Sequence, residues 1–327
     1  MRRARRLIAA TLMLAPVALT ALLVPSAQAQ DYPDKPVRVV VAFPAGGPAD
    51  IGMRIMAERL SAQMGRNFVV DNRPGAGGAI GSELVASAAP DGYTLLLSGN
   101  HVAIAQALSA SVRYDAVKSF EPIARFGVLP SGLFVNGQSP HASLQDLLAY
   151  ARSHPDALTY ASGGNGTPSH LAMELLKRRA GLAIRHIPYK GTPPAVTDLI
   201  GGQVDMLFTS IAGPMAQVKS GRLRLLAVSS PRRLPLLAQV PVIGEAVAGY
   251  EFETWLGVSA PRGTPDTIVA KLSAEIGHAL KDAGVVRRME DAGLSPAYLA
   301  TPEITRQVEE EAGMYVRVVK DANIKAE

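Results

Sequence analysis

The sequence predicts an α/β protein of two lobes with a hinged cleft between them. Short β-branched runs alternate with amphipathic helical stretches, as in parallel α/β layers. That alternation comes in two series, the second beginning near Leu133. The C-terminal tail is helical and brings no sheet of its own, so it must pack on a lobe already built.

The first 29 residues read as a secretory signal peptide. Arg2, Arg3, Arg5 and Arg6 open it, Leu7–Val24 is uncharged and apolar, and Ala27-Gln28-Ala29 supplies the small-x-small cleavage pattern. Cleavage is expected after Ala29. The apolar run is short of the roughly 20 residues of a membrane anchor, and Pro16 breaks it. Four of the five net positive charges are these arginines, so the remaining chain carries +1. No Lys/Arg cluster follows and aromatics are 5%, so nucleic acid is not an expected partner. Cysteine is absent, which removes thiol catalysis and thiolate metal sites. The rest is long enough to bury a core without disulfides.

Val37–Phe43 is a nearly continuous β-branched run that suits a strand covered on both faces. Ile51, Ile55, Leu60 and Met64 then recur at helical spacing. Phe68–Val70 and Tyr93–Leu97 read as the next strands, the latter introduced by the turn Pro90-Asp91-Gly92. In the second series, Ser143 with Asp146 resembles a capping box ahead of Leu144, Leu147, Leu148 and Ala151. Strands are expected at Leu158–Ala161, Ile184–Ile187, Val204–Phe208 and Leu223–Val228, with helices from near Pro168, Pro193 and Pro214. Thr167-Pro168, Thr192-Pro193, Thr264-Pro265 and Thr301-Pro302 each place a hydroxyl before a proline, which predicts four capped helix starts. Beyond the strand Trp255–Ala260 only helical patterns are expected. The layout gives lobe 1 from residues 30–132 and 254–327, and lobe 2 from 133–253. Crossings fall near Pro130–Leu133 and Tyr250–Trp255, and a ligand belongs in the cleft between lobes.

Two loops carry the candidate chemistry. Phe43–Asp50 joins a strand to a helix, where unpaired amides and the helix dipole favour an anion. Gly46 and Gly47 let backbone approach a ligand, and the amides of Ala45, Gly46, Gly47, Ala49 and Asp50 are candidate donors. Asp50, read as the N-cap, engages its charge on the amides of Gly52 or Met53. The alternative is a plain strand-to-helix turn. The second loop, Ser162-Gly163-Gly164-Asn165-Gly166-Thr167, likewise follows a strand and opens a helix. Its Gly164-Asn165-Gly166 comes near a dinucleotide fingerprint, but Ser169 replaces the third glycine and the acidic residue about 20 positions on is missing. Gly75-Ala76-Gly77-Gly78-Ala79-Ile80-Gly81 fails the same test. No cofactor is expected.

No catalytic constellation is visible: there is no Gly-x-Ser-x-Gly elbow and no His-Glu-x-x-His pair. The six histidines lack metal-ligand spacing. His170 reads as a structural hydrogen-bonding residue ahead of a base. Asp205, inside an apolar strand, needs a partner, which is an amide, a side chain or the ligand network. Trp255 stands at the expected hinge, with core packing its default role.

The chain resembles the Bug receptors, the extracytoplasmic binding proteins of tripartite tricarboxylate transporters. Tyr32-Pro33-Asp34-Lys35-Pro36-Val37 and Phe43–Asp50 carry the likeness, with Asn72–Gly78, Ala89–Thr94, Gly164–Thr167, Pro188–Gly191, Gly201–Asp205 and Ala260–Pro265 in the same order. The resemblance implies a two-lobed periplasmic fold of the Venus flytrap kind. It implies a ligand carboxylate held by main-chain amides and bridging waters between loops matching Phe43–Asp50 and Ser162–Thr167. Membrane transporter subunits or a sensor protein are the implied partners of what is expected to be a monomer. Many relatives carry an acidic residue after the fourth strand of lobe 2, which amino-acid binders use to meet the ligand ammonium. Here Thr209-Ser210-Ile211 is neutral. The expected ligand is therefore a mono- or dicarboxylate, or an aromatic acid, without a free amino group. The alternatives are an exported enzyme on the same scaffold and a protein that senses its ligand for a kinase.

Overall fold

A computed structural model describes residues 32–234, 237–321 and 324; the expected leader and its cleavage point after Ala29 lie outside the described residues. In chain order the elements are β1 (Val37–Val41), α1 (Pro48–Met64), β2 (Phe68–Asn72), α2 (Ala79–Ala86), β3 (Thr94–Ser98), α3 (Asn100–Leu108) and β4 (Phe120–Leu129). Next come β5 (Ser131–Asn136), α4 (Leu144–Ser153), β6 (Thr159–Ser162), α5 (Pro168–Ala180), β7 (Arg185–Pro188), α6 (Thr192–Ile200), β8 (Met206–Ser210), α7 (Met215–Lys219) and β9 (Leu223–Val228). The chain then adds β10 (Thr254–Pro261), α8 (Asp266–Ala279), α9 (Ala283–Asp291), β11 (Ser295–Leu299) and α10 (Thr301–Asp321).

Two sheets result, one per lobe, ordered β11-β4-β10-β3-β1-β2 and β7-β6-β8-β5-β9. Strands β1, β2 and β3 pair in parallel, as do β6, β7 and β8. These are the βαβ units whose carboxyl ends carry the two loops. The other pairings are antiparallel. Only Pro130 separates β4 in one sheet from β5 in the other. The return path lies beside it, with Ser229 N donating to Ser131 O at 2.9 Å and Phe252 N to Ser229 O at 3.3 Å.

Each sheet has its own apolar core, built around Met53, Met56 and Leu97 in one and Phe134, Leu199 and Leu207 in the other. A third cluster joins the lobes through Leu96, Val102 and Ile104, Leu133, Tyr160 and Leu171, and Tyr315, Val318 and Val319 of α10. Among the described residues no helix is long and apolar enough to cross a membrane.

Several expectations need correction. The tail does hold a strand: β11 pairs along β4 at the sheet edge. Its Pro296 masks a β signal but is tolerated there, because an edge strand need not donate every amide. Strand β4 also escaped the sequence reading, since Pro122 and Gly127 interrupt its run. The buried stripe of α1 includes Met53, Met56, Ala57 and Leu60, while Ile51 is exposed. That stripe is set by close packing, with Gly52 facing Leu256 and Leu294.

None of the four Thr-Pro hydroxyls caps its helix. Thr167 donates to Gly164 O, Thr264 to Pro261 O and Thr301 to Ile123 O, while Thr192 meets the Thr209 hydroxyl. The helix amides need an acceptor, and these hydroxyls are engaged as donors or elsewhere. The capping box on α4 does form, between Ser143 and Asp146.

Candidate functional site

In the first loop the N-cap of α1 is Gly47 and Pro48 takes the first helical position. Asp50 is therefore inside the first turn, and the expectation of Asp50 as the cap is corrected. Its side chain, 2% exposed, reaches back to accept from Gly46 N at 2.8 Å, and also takes Arg54 Nε at 2.9 Å and Asn72 Nδ2 at 2.8 Å. Burial works against its charge, but the bonds from Arg54, Gly46 and Asn72 outweigh burial and hold its pKa below the usual carboxylate range. Gly46 lies at φ +80°, a conformation that favours glycine. Its amide is engaged on Asp50 and leaves the list of ligand donors. The amides of Ala45, Gly47, Ala49 and Asp50 remain at the open end of the helix.

Phe43 is half-buried. Its carbonyl accepts from Asn72 Nδ2 at 3.1 Å, and its ring meets the His101 imidazole edge-on at 4.9 Å. His101 is buried and its pKa is pushed down to about 4; its Nε2 has no hydrogen-bond partner among the described residues. The same ring packs on Gly78, where an added Cβ would lie 2.6 Å from Cδ2. Sequence reasoning missed Arg54, Asn72 and His101 as parts of this loop. Asn72 alone had a signal, in the Asn72–Gly78 block.

The second loop is closed upon itself. Ser162, fully buried, lies 2.7 Å from His186 Nε2 and accepts from Gly164 N at 3.1 Å. Gly163 N donates to Ser169 Oγ at 3.0 Å, and Gly166 N to His170 Nδ1 at 3.1 Å. Gly164 and Gly166 sit at φ +128° and +69°. Thr167 is the N-cap residue of α5 by backbone, and its hydroxyl closes the loop on Gly164 O at 2.7 Å. Asn165 is half-buried at the tip.

The segment after β7 is tied to this loop by Tyr189 N to Ser162 O and Gly191 N to Gly163 O, each 3.2 Å. It leads into Thr192, whose hydroxyl is 2.9 Å from that of Thr209. Thr209 thus joins the second loop's surroundings at the carboxyl end of β8. Beside it, the Ser210 hydroxyl is buried without a partner among the described residues.

Asp205 does not belong here. It is exposed, precedes β8 and accepts from Thr159 N and Thr159 Oγ1 at 2.7 and 2.8 Å. It therefore stands at the amino end of the strands, a strand length from Thr209. Trp255 is likewise a core residue: its Nε1 donates to Glu311 at 2.9 Å and it packs with Val128 and Ile304.

The loops after β6 and β8 face the first lobe. An added Cβ on Gly166 would lie 2.5 Å from Leu108 Cδ1, and one on Gly293 would lie 2.2 Å from Ala212 Cβ.

The Ser162–His186 contact has the spacing of a nucleophile and its base, yet its chemistry is wrong for that role. The serine is sealed from solvent, and burial drives the His186 pKa down to about 3, far from the value a general base needs near neutrality. Among the described residues no group of three or more His, Asp or Glu could hold a metal.

The family model described as "Tripartite tricarboxylate transporter family receptor" matches residues 53–324. A UPF0065 protein of Bordetella bronchiseptica is 39% identical over 97% of this chain and 94% of its own length. Among solved structures, R. palustris Rpa4515 with adipate is similar at a TM-score of 0.80 and 34% identity, covering 90% of this chain and 99% of that one. MatC from Rhodopseudomonas palustris with bound malate gives a TM-score of 0.77 at 33% identity, covering 88% and 100%.

Proposed function

The chain belongs to the family of tripartite tricarboxylate transporter receptors, and from that premise we propose that it captures a small organic carboxylate lacking a free amino group. The ligand sits between the Phe43–Asp50 and Ser162–Thr167 loops, and the lobes close on it by bending at the crossings near Pro130–Leu133 and Tyr250–Trp255. The first-turn amides of α1 and α5 receive the carboxylate, aided by the dipoles of both helices. The receptors of this family are periplasmic; here the leader is removed after Ala29, and the mature chain delivers its ligand to membrane transporter subunits or to a sensor. It performs no chemistry on the ligand.

The observation that carries the ligand class is the Thr192–Thr209 hydroxyl pair. A ligand ammonium facing it would lose a charge-assisted hydrogen bond worth about 1.5–3 kcal/mol. The solved relatives with adipate and malate support an acid of this kind.

A thermal-shift panel of adipate, malate, succinate, benzoate, aspartate and glutamate tests the reading. An acid at about 100 times its Kd should add about 2.7 kcal/mol of stability. Calorimetry should then rank malate above aspartate. Silence across the panel, or tighter binding of the amino acids than of their deaminated analogues, would sink this function; turnover of a hit would favour an enzyme.

A further inference from the structure

We propose that His170 and His186 are positioning residues for the second loop, holding Gly163–Thr167 in its ligand-receiving shape as neutral hydrogen-bond partners. The proposal rests on reading that loop as part of the ligand site. Strand β6 presents Tyr160 and Ser162 two residues apart, on one face. Strand β7 sets His186 in register with Tyr160, and α5 brings His170 from its first turn. The rings stack in order: Tyr160 on His186 at 4.6 Å and 20°, His186 on His170 at 4.0 Å and 13°.

Both imidazoles reach into the loop. His186 Nε2 meets Ser162 Oγ, which in turn takes the Gly164 amide. His170 Nδ1 takes the Gly166 amide. A backbone N–H can only donate, so this Nδ1 carries a lone pair and the proton of the neutral ring is on Nε2. A protonated His170 would set an N–H against an N–H, and Gly166 would lose its bond. Gly164 and Gly166 adopt positive φ, so nothing in their own preferences restores the shape once these bonds go.

The surroundings keep the rings neutral. On α5, Glu174 Oε1 accepts from the Tyr160 hydroxyl and from Lys177, each at 2.6 Å, and its charge favours the protonated form of His186 without overcoming burial. Lys177 opposes a second positive charge. The Tyr250 hydroxyl donates to Ala172 O of α5, and α3 brings the apolar Leu108 against Gly166. Burial lowers the pKa of His170 to about 4, with Lys177 adding to it; burial and the His170 charge lower that of His186 to about 3, with Glu174 opposing and Lys177 assisting.

The test begins on the unliganded, 15N-labelled chain. The Gly166 amide should be protected from solvent exchange at neutral pH, and its shift should titrate together with the His170 ring near pH 4. His170→Phe keeps a ring in the stack but removes the acceptor. It should cut Gly166 protection and, for the panel acid with the largest thermal shift, affinity by about tenfold each, the scale of one lost hydrogen bond. His170→Asn restores an acceptor and should recover part of both. Unchanged Gly166 exchange in His170→Phe overturns the proposal, as does lost protection with unchanged affinity. If no acid binds the wild-type chain, the carboxylate reading fails by itself, and the exchange of the Gly166 and Gly164 amides, in His170→Phe and His186→Phe respectively, still decides whether the imidazoles hold the loop.

Discussion

Asp50 shows how one side chain can organise a loop. Its carboxylate joins the Gly46 amide, Arg54 of α1 and Asn72 of β2, so the first loop is fixed from three directions. Asp50→Ala leaves these donors unmatched and should cost about 1–3 kcal/mol in urea unfolding, with weaker carboxylate binding by calorimetry. Gly46→Pro should fold yet bind no acid, because proline fixes φ near −65° and has no N–H for Asp50, whereas Gly46 stands at φ +80°. Unchanged affinity in this variant would take the loop out of the site. The glycines and the helix start were legible in the sequence. The carboxylate's true partners were not, because Asn72 is 22 residues away in the chain and only the β1–β2 pairing brings it close.

Helix starts differ in what holds them, and residue type alone does not reveal it. Ser143 and Asp146 form a reciprocal cap at 3.1 Å in each direction. Ser143→Ala should lower stability by about 1 kcal/mol, read as a small fall in the urea midpoint with ligand affinity unchanged. The Thr-Pro starts looked the stronger, but their hydroxyls serve turns and neighbouring elements. The Ser143 box is local, three residues apart, so its geometry follows once a helix forms. The fate of Thr301 depended on the Ile123 carbonyl 178 positions away. Strand β11 has the same cause: with little intrinsic β signal, it is a strand because β4 offers an open edge.

At the scale of the molecule, buried histidines make the fold sensitive to acid. His101, His170 and His186 have pKa values pushed down by burial to about 4, 4 and 3. The unfolded chain takes up these protons near pH 6.5, before the folded one does, so stability is present above that value and falls as pH drops toward 4. For the fully buried His101 alone the loss is roughly 3 kcal/mol. Glu311 acts oppositely: burial raises its pKa to about 7, so its contribution is present at low pH and lost as pH rises toward 7. Asp50, held below the ordinary range, matters only below about pH 4. Glu253, also raised by burial, acts in the same sense as Glu311; the three histidines outweigh these two glutamates, so urea midpoints should fall between pH 6.5 and 4, and His101→Phe should flatten the slope. A midpoint constant across that window would contradict the burial of these rings in solution.

The sequence by itself determined the alternation of strands and helices, the two series, the glycine-rich helix starts and the neutral Thr209 position, because these depend on periodicity and on local backbone freedom. Tertiary structure alone decided that Asp50 binds its own loop, that Asp205 stands at the far end of the strands, and that Tyr160, His186 and His170 stack beneath the second loop. Each of those outcomes depends on sheet register and helix packing between residues distant in the chain. A hydrogen bond or a ring stack is decided over a few ångströms, and the distance along a sequence does not encode it.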